Sequence, residues 1–352
     1  MRTYLPSHES LRQIRDLSTV LVTVAVLSGC TGGTRDSNEA TAPFAGRTVR
    51  LVVGVSAGGG QDLYARVMAP YLGKHLPGEP NVIVENMTGA GGLVLMNYLA
   101  RRADPNGLTV ALVTSQAITA QLLNRGGDFD IREMPLVGSP AGDGYACVFG
   151  RETGMTLDSW RRGRIPRMGT LNPTTPLASY AFLVSDALAL PIRPISGHAG
   201  VADVRAAIGS GEVDGLCMSR DGFAATFEPK EDYVALLQAG GDPASHIPGV
   251  PVADDLVTSR RGKVLLGVAD AIAALARLVV LPPHTPAPIV AAMRTAFEQT
   301  MADPAFLAAA RSANIALWPR YAAELDAQMR ALLSPPDEFR DDVLKSLGRG
   351  EE

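Results

Sequence analysis

The sequence has no excess of positive charge. Its 352 residues include 32 Lys and Arg against 36 Asp and Glu, which gives a formal net charge of −4. A nucleic-acid-binding domain usually presents a basic stripe, so this balance argues against a nucleic-acid partner. The composition of 46% hydrophobic and 19% charged residues is that of a globular protein. The length exceeds one ordinary domain.

Cysteine is rare, with three residues in the chain. Cys147 and Cys217 each lie in a short apolar, strand-like segment, and their spacing is neither CxxC nor that of metal ligands. We therefore expect no metal site. Two buried free thiols and a disulfide between neighbouring strands both remain open, because spacing alone does not establish a pairing.

The uncharged apolar run near the N-terminus, Leu17 to Leu27, is short. It follows three arginines and is too short to cross a bilayer, which is typical of a signal peptide. Because the run closes on Leu27-Ser28-Gly29-Cys30, it resembles the lipobox of bacterial lipoproteins. We expect residues 1–29 to be a lipoprotein signal peptide, Cys30 to be acylated, and residues 30–47 to form a tether. A plain signal peptide with an incidental Cys30 is the alternative.

Short strand-like segments alternate with helical ones from Thr48 onward, as expected for an α/β fold. The first set predicts the order βαβαβα over Val49–Val53, Asp62–His75, Asn81–Val84, Gly92–Arg102, Leu108–Val113 and Ala117–Leu123. Crossovers of this length require parallel strands. A second set of strands is predicted at Ala146–Phe149, Arg167–Leu171, Ile192–Ser196 and Asp214–Met218, with helices between them. The pattern therefore indicates two α/β lobes.

Glycine-rich segments follow the first two predicted strands, at Gly54–Asp62 and Asn86–Gly92, and Thr114-Ser115-Gln116 follows the third. Glycine lets backbone N–H groups approach a ligand closely, and a helix N-terminus carries partial positive charge. The carboxyl ends of parallel strands meet at one edge of a sheet, where open α/β folds bind ligands. The three loops therefore predict an anion site.

The first loop also has a rival interpretation, because residues 54–58 fit the G-x-S-x-G nucleophile elbow of serine hydrolases around Ser56. Only one strand of the mature domain precedes Ser56, whereas a hydrolase elbow normally follows several. His198, His246 and His284 are candidate bases, but no partner is marked by the sequence. A Walker loop is not expected, because Gly60-Gln61 replaces the required lysine and hydroxyl residue.

Several motifs together resemble the solute-binding proteins of tripartite tricarboxylate transporters, the Bug family of exported receptors. They are the Gly-Gly-Gly-Gln-Asp core within Val52–Asp62, Glu85-Asn86 leading to Gly89–Gly92, Pro105-Asn106-Gly107, and Pro283–Pro286. His198-Ala199-Gly200 and Gly211–Asp214 stand where that family has Tyr-Lys-Gly and Gly-x-Val-Asp. The resemblance runs from about Thr48 to the C-terminus.

This resemblance implies a type II periplasmic-binding-protein-like fold, in which two α/β lobes close around a small carboxylate. Lobe 1 would comprise residues 48–145 and 239–352, and lobe 2 residues 146–238. The expected ligand-binding residues are Ser56, Ala57, Gly58, Gly59, Asp62, Ala90, Gly91, Gly92, Thr114, Ser115 and Gln116 from lobe 1, and Thr170, Asn172 and Ser219 from lobe 2. Asp62 is where an amine-bearing ligand would be contacted, but it has a second explanation, since a carboxylate in a first helical turn also favours the helix dipole.

The expected protein is thus a non-enzymatic receptor on the extracytoplasmic side of the cell envelope, with no catalytic residue, cofactor or metal. Its partners would be a small carboxylate, the membrane subunits of a transporter, and the lipid bilayer through the acyl chains of Cys30. Val55, Ser56, Thr88 and His198 depart from the usual family residues and leave the ligand identity open. A serine hydrolase and a ligand-sensing module that is not coupled to transport are the alternatives.

Overall fold

The protein is described here by a computed structural model, which covers residues 43–58, 60–124, 127–142, 144–172, 175–227, 230–241 and 243–348. The predicted signal peptide, Cys30 and Gly59 lie outside the described residues. The strands are β1 Thr48–Val53, β2 Asn81–Asn86, β3 Thr109–Val113, β4 Leu136–Ser139, β5 Tyr145–Gly150, β6 Arg167–Gly169, β7 Arg193–Ile195, β8 Gly215–Ser219, β9 Tyr233–Ala239, β10 Leu278–Val280 and β11 Arg320–Tyr321. The helices are α1 Gly60–His75, α2 Leu93–Arg101, α3 Gln116–Leu122, α4 Leu157–Arg161, α5 Pro176–Leu188, α6 Val201–Gly209, α7 Arg220–Thr226, α8 Ala253–Leu256, α9 Arg260–Ala274, α10 Ala287–Ala302, α11 Pro304–Ser312, α12 Ala322–Leu333 and α13 Asp337–Gly348.

The first sheet has the strand order β11-β4-β10-β3-β1-β2. Strand β1 pairs in parallel with both β2 and β3, which confirms the parallel βαβαβα unit expected from the sequence. Strands β10, β4 and β11 extend the sheet in antiparallel fashion and were not predicted. The carboxyl ends of β1, β2 and β3 therefore lie at one edge.

The central strands of the first sheet are buried on both faces. Val49, Leu51 and Val53 of β1 pack with Met68 of α1 in one hydrophobic core, whereas Val52 points to the opposite core. This alternation is the period of two expected for side chains along a strand. Each fully buried aliphatic side chain contributes about 1.5–3 kcal/mol through its removal from water. Helices consequently cover both faces of the sheet and hold the loop-bearing edge in place.

The second sheet has the strand order β7-β6-β8-β5-β9. Strand β5 runs antiparallel to both β8 and β9, while β6 pairs in parallel with β7 and β8. Cys147 of β5 lies directly opposite Cys217 of β8, and the two form a disulfide. The structure therefore has a cross-strand disulfide where the sequence left free thiols and a disulfide both open.

The chain passes from the first sheet to the second between β4 and β5, and it leaves the second sheet after β9. We call these two connections the crossovers; Gly142 lies in the first, and Gly240 and Gly241 lie in the second. Helices α9 and α13 contact α5, and α12 packs on β4. Helices α9 and α13 belong to the residues predicted for lobe 1, but they contact α5, which belongs to the residues predicted for lobe 2. These contacts do not test the lobe boundaries, which remain a prediction. Within the described residues, no helix is long and apolar enough to cross a membrane.

Candidate functional site

Asp62 organises the loop between β1 and α1. Its Oδ2 accepts a hydrogen bond from the Gly58 N–H at 2.9 Å and another from Arg66 Nε at 2.8 Å. Its Oδ1 accepts from Asn86 Nδ2 at 2.9 Å. These donors, with Arg66 contributing most, lower the pKa of Asp62 to about 2. Asp62 is 2% exposed, so its carboxylate is occupied within the protein and acts by positioning the loop.

Asn86 ties the second loop to the first. Besides Asp62, its amide Nδ2 donates to the carbonyl oxygen of Val55 at 2.9 Å, and its Oδ1 accepts from Arg66. Asn86 ends β2 and Val55 follows β1, which are neighbouring parallel strands. A single side chain therefore fixes the relative position of the two glycine-rich loops.

The three loops approach one another so closely that glycine is required. A Cβ at Gly54 would lie 2.9 Å from the Cα of Gly92, and a Cβ at Gly91 would lie 2.1 Å from Oε1 of Gln116. Gly91 and Gly92 also have positive φ angles of 65° and 98°, which other residues adopt only with strain. The structure thus brings together the loops after β1, β2 and β3, as the sequence predicts.

Two helix N-termini open on this junction. Helix α2 begins after Gly92, which has no side chain that could cap it, and α3 begins after Ser115, whose hydroxyl forms no cap hydrogen bond with the described residues. Helices leave several N–H groups unsatisfied at their N-termini, and these carry partial positive charge. The junction is therefore suited to an anion such as a carboxylate.

The predicted lobe 1 residues differ in exposure. Ser56, Ala57, Gly58, Ala90 and Gly91 are exposed, Gly92 and Thr114 are half-buried, and Ser115 and Gln116 are buried. Loop residues with exposed backbone can reach a ligand directly. The buried Ser115 and Gln116 can contact a ligand only if it enters the junction between the loops.

Buried polar groups without partners mark this region further. Gln61 is 8% exposed and Ser115 is 0% exposed. Neither the side-chain amide of Gln61 nor the hydroxyl of Ser115 has a hydrogen-bond partner among the described residues. Such groups are uncommon in folded proteins and call for an explanation. Sequence reasoning missed Gln61, although a polar residue on the buried stripe of α1 was an available signal.

The predicted lobe 2 residues lie at one edge of the second sheet. Thr170 follows β6 and Ser219 ends β8, which is parallel to β6. The Thr170 hydroxyl lies 2.9 Å from that of Ser196, and the residue is 1% exposed. Asn172 is exposed, and its carbonyl oxygen accepts from the Thr175 N–H. The hydroxyl of Thr170 is thus already engaged, whereas Asn172 and the half-buried Ser219 are more accessible.

A contact between the two sheets' helices was missed by sequence reasoning. Asp221 of α7 forms an ion pair with Arg277, which precedes β10, at a distance of 2.7 Å. The hydroxyl of Tyr64 on α1 lies 3.1 Å from Asp221 Oδ2, and the Arg277 guanidinium stacks 4.4 Å from the Tyr64 ring centroid. The side chains of Arg277 and Asp221 are 13% and 6% exposed. The buried ion pair joins α7 to the segment before β10, and Tyr64 connects both of its members to α1, the helix that follows the first loop.

Two of the histidines considered as hydrolase bases have other surroundings. His198 Nδ1 lies 3.0 Å from the carbonyl oxygen of Thr170. His246 lines a cavity beside the crossovers. Within the described residues, no cluster of three His, Cys, Asp or Glu side chains could hold a metal ion.

Comparisons with known proteins bear on the fold. No family model matches the chain. A UPF0065 protein from the gbd 5′ region of Cupriavidus necator is 47% identical over 70 residues, which is 20% of this chain and 20% of that protein. The matched segment thus spans about a fifth of the curated relative.

Solved structures match over most of the chain. A TctC solute-binding protein from Polaromonas superposes with a TM-score of 0.62 at 18% identity, covering 87% of this chain and 99% of that one. MatC from Rhodopseudomonas palustris with bound malate gives 0.65 at 18% identity, covering 86% and 100%. A second R. palustris protein, with adipate, gives 0.64 at 16% identity, covering 86% and 98%.

The chain has the fold of periplasmic solute-binding proteins, two α/β units built on two sheets. The resemblance to tripartite tricarboxylate solute-binding proteins of the TctC and Bug type is confirmed in its fold. At sequence identities this low, the similarity shows only that the folds are alike. Ligand and partners have to be argued from the residues of the site.

Proposed function

We propose that the protein is an extracytoplasmic solute-binding lipoprotein that captures a small carboxylate for a transporter of the tripartite tricarboxylate type. The observation that carries this proposal is the junction of three loops at the carboxyl ends of β1, β2 and β3. Two helices open there without side-chain caps. Backbone N–H groups at helix N-termini bind anions without a cationic side chain.

The chemistry of the site favours a carboxylate that lacks an amino group. Asp62 was the residue expected to contact an ammonium, and its oxygens already accept from Gly58, Arg66 and Asn86. The names of two structurally similar R. palustris proteins include malate and adipate, which are dicarboxylates. We therefore expect a mono- or dicarboxylate of about this size, with Gln61 and Ser115 offering additional hydrogen bonds.

The direct test is a thermal-shift and calorimetry screen of the purified protein. Mono- and dicarboxylates, including malate and adipate, are compared with sugars and with organic cations. A ligand that binds only the native state at 100 times its Kd stabilises that state by about 2.7 kcal/mol. The proposal fails if sugars or cations alone raise the melting temperature.

A pair of glycine variants separates the site from general backbone strain. Gly91 and Gly154 both have positive φ, 65° and 60°, so alanine at either position costs about 1–2 kcal/mol in backbone strain. A Cβ at Gly91 would collide with Gln116, whereas a Cβ at Gly154 meets nothing within 4 Å. We expect Gly91→Ala to lose carboxylate binding and Gly154→Ala to keep it. Equal affinity in both variants would remove the second loop from the site.

The lipid anchor is tested separately from the binding site. Labelled palmitate should enter the wild type but not Cys30→Ala, because acylation requires the thiol. Two acyl chains give stable anchoring at about 0.8 kcal/mol per buried CH₂. Equal labelling of both proteins would show that Cys30 is not the acylated residue, and labelling of neither would leave a plain signal peptide as the explanation of the N-terminus.

Two other functions remain distinguishable. A serine hydrolase would be labelled at Ser56 by a phosphonate probe and would lose all turnover in Ser56→Ala, whereas a receptor would lose only modest affinity. A sensor would bind the same carboxylate, but cellular uptake would not depend on it. Deleting the gene and measuring carboxylate uptake decides between receptor and sensor.

A further inference from the structure

Tyr64, Asp221 and Arg277 form a contact between elements of the two sheets, which we call the latch cluster. Helix α1, which carries Tyr64, packs on β1 and β2 of the first sheet, whereas α7, which carries Asp221, packs on β5 and β8 of the second. Arg277 precedes β10, a strand of the first sheet. A separation of the two sheets at this point therefore breaks the latch cluster.

Both sides of the latch cluster are close in sequence to predicted ligand-binding residues. Tyr64 lies two residues after Asp62 in α1, and Asp221 lies two residues after Ser219, which ends β8 and is the N-cap of α7. A carboxylate held between the first loop and Ser219 would draw the same two helices together. Ligand binding and formation of the latch cluster should therefore favour each other, because coupling between two events acts in both directions.

The charged members of the latch cluster are buried. The side chains of Asp221 and Arg277 are 6% and 13% exposed, and the Arg277 guanidinium lies over the ring of Tyr64. Removing two charges from water costs about as much as their attraction returns, so such a pair adds little net stabilisation. Burying either charge alone is strongly unfavourable. The two sheets can therefore meet here only when both charged partners are present and aligned.

One oxygen of the latch cluster has no donor. Among the described residues, Asp221 Oδ1 has no hydrogen-bond partner, and Asp221 Oδ2 shares the single hydroxyl hydrogen of Tyr64 with the carbonyl oxygen of Ala316. A buried acceptor without a donor opposes burial, and separation of the sheets would expose it to water. The contact is thus finely balanced without a ligand, and the hydrogen bonds of a bound carboxylate can shift that balance.

We propose that the latch cluster sets the fraction of the protein in the ligand-enclosing arrangement, and so adjusts carboxylate affinity without contacting the ligand. This inference rests on the proposed function, but the conformational change can be measured without a ligand. The apparent dissociation constant rises in proportion as the binding-competent arrangement is depopulated. Tyr64, Asp221 and Arg277 are therefore positioning residues.

The experiment compares Arg277→Met with the double variant Arg277→Met/Asp221→Asn. Small-angle X-ray scattering measures the ligand-free proteins, and calorimetry measures their binding of malate and adipate. In Arg277→Met, the Asp221 carboxylate avoids burial without a partner only if the sheets separate. We expect a larger radius of gyration than in the wild type and an affinity weaker by about tenfold or more. The double variant buries no charge and should recover the wild-type radius and an affinity within about threefold.

The separation in Arg277→Met should be limited, because one hydrophobic core includes residues of both sheets. It therefore relieves only part of the cost of burying Asp221, and the variant is also less stable. Tyr64→Phe provides a milder variant that should fold normally, since it keeps the ring beside Arg277 and removes only the hydroxyl contact with Asp221. Its affinity should fall about two- to tenfold, the equivalent of one net hydrogen bond.

Arg167→Met is the matched control. It breaks the ion pair with Asp214, whose members lie in β6 and directly before β8 of the second sheet, so neither the radius nor the affinity should change. The proposal is overturned by a wild-type radius in folded Arg277→Met, by a double variant as expanded as the single one, by the same expansion in Arg167→Met, or by unchanged affinity in Tyr64→Phe. Expansion of Arg277→Met, with no carboxylate bound by the wild type, would support the latch cluster and refute the proposed function.

Discussion

Two largely buried carboxylates, Asp62 at the first glycine-rich loop and Asp270 at the cavity beside the crossovers, have opposite electrostatic environments. Asp62 accepts hydrogen bonds from three residues, and its pKa is lowered to about 2. Asp270 has an Oδ1 without a partner among the described residues, and its pKa is raised to about 7 by burial and by Asp254. Both lie on long helices, α1 and α9.

The difference between them shows that donors, more than burial, decide what a buried acid does. A carboxylate surrounded by N–H donors stays ionised and fixes the backbone that supplies them. A carboxylate without donors takes up a proton or attracts a cation. Asp62 therefore shapes the carboxylate site without occupying it, whereas burial of Asp270 raises its pKa to about 7 and favours its protonated form.

Asp221 is a third buried carboxylate, and its charge is balanced by Arg277. Removing Arg277 is expected to cause the largest loss of stability. Arg277→Met would leave the buried Asp221 carboxylate without its ion-pair partner. Breaking a buried pair in this way costs about 3–5 kcal/mol. Urea denaturation should therefore show a large loss in the free energy of unfolding.

The double variant Arg277→Met/Asp221→Asn is the control for this prediction. It removes both charges, and we expect it to recover most of the lost stability, because no buried charge is left unpaired. If the single and double variants are equally unstable, packing of Arg277 on Tyr64, rather than the charge, explains the loss.

The second prediction concerns Asp62→Ala. This change removes the acceptor of the Gly58 N–H and one of the two acceptors of the Asn86 amide, at a cost of about 1–3 kcal/mol. Carboxylate affinity should fall as well, since the loops lose their fixed position. Denaturation and the ligand screen measure the two effects, with Asp158→Ala as the exposed first-turn control.

The lowered pKa of Asp62 also predicts that the protein loses stability at acidic pH. Because its pKa is lowered to about 2 in the folded protein, its contribution is present above its unfolded pKa of about 3.9 and is lost as the pH falls toward 2. The stability difference between wild type and Asp62→Ala should shrink over this interval. A difference that stays constant down to pH 2 would contradict the assigned hydrogen bonds.

The third prediction is that Asp270→Asn, unlike Asp62→Ala, increases the free energy of unfolding. A raised pKa means that the folded protein binds the proton more tightly, so wild-type stability falls as the pH rises from about 4 through 7. Asparagine avoids this loss, and the variant should be more stable by about 1–3 kcal/mol at pH 8 and nearly equal at pH 4. Denaturation at both pH values checks it, and a variant less stable than wild type at pH 8 would contradict it.

The smallest effect is expected for Gln61→Met. The amide of Gln61 is buried without a partner among the described residues, so an apolar side chain of similar length should change stability by no more than about 1 kcal/mol, in the stabilising direction. Carboxylate affinity should nevertheless fall if the amide contacts the ligand. An unchanged affinity would exclude Gln61 from the site.

The glycine-rich loops and their helices could be predicted from the sequence because the signals are local. Strands β1 to β3 have β-branched or apolar runs, and the glycines at 54, 91 and 92 mark close approaches that the structure contains. Strand β9 of the second sheet was missed although it has seven residues, and strands β4, β10 and β11 of the first sheet were missed as well. They have four, three and two residues, too few for a periodic pattern, and they join the sheet only through partners distant in sequence.

The sequence by itself determined the α/β class, the parallel βαβαβα unit and the three loops that meet at its edge. These follow from the alternation of apolar residues and from glycine, whose effects act within a few residues. Only the tertiary structure decided that Cys147 pairs with Cys217, that Asp221 meets Arg277 and Tyr64, and that Asp270 Oδ1 lies at Gly240 with no donor among the described residues. Each of these depends on segments far apart in the chain, and a side chain's charge state or bond depends on the neighbours that folding brings to it.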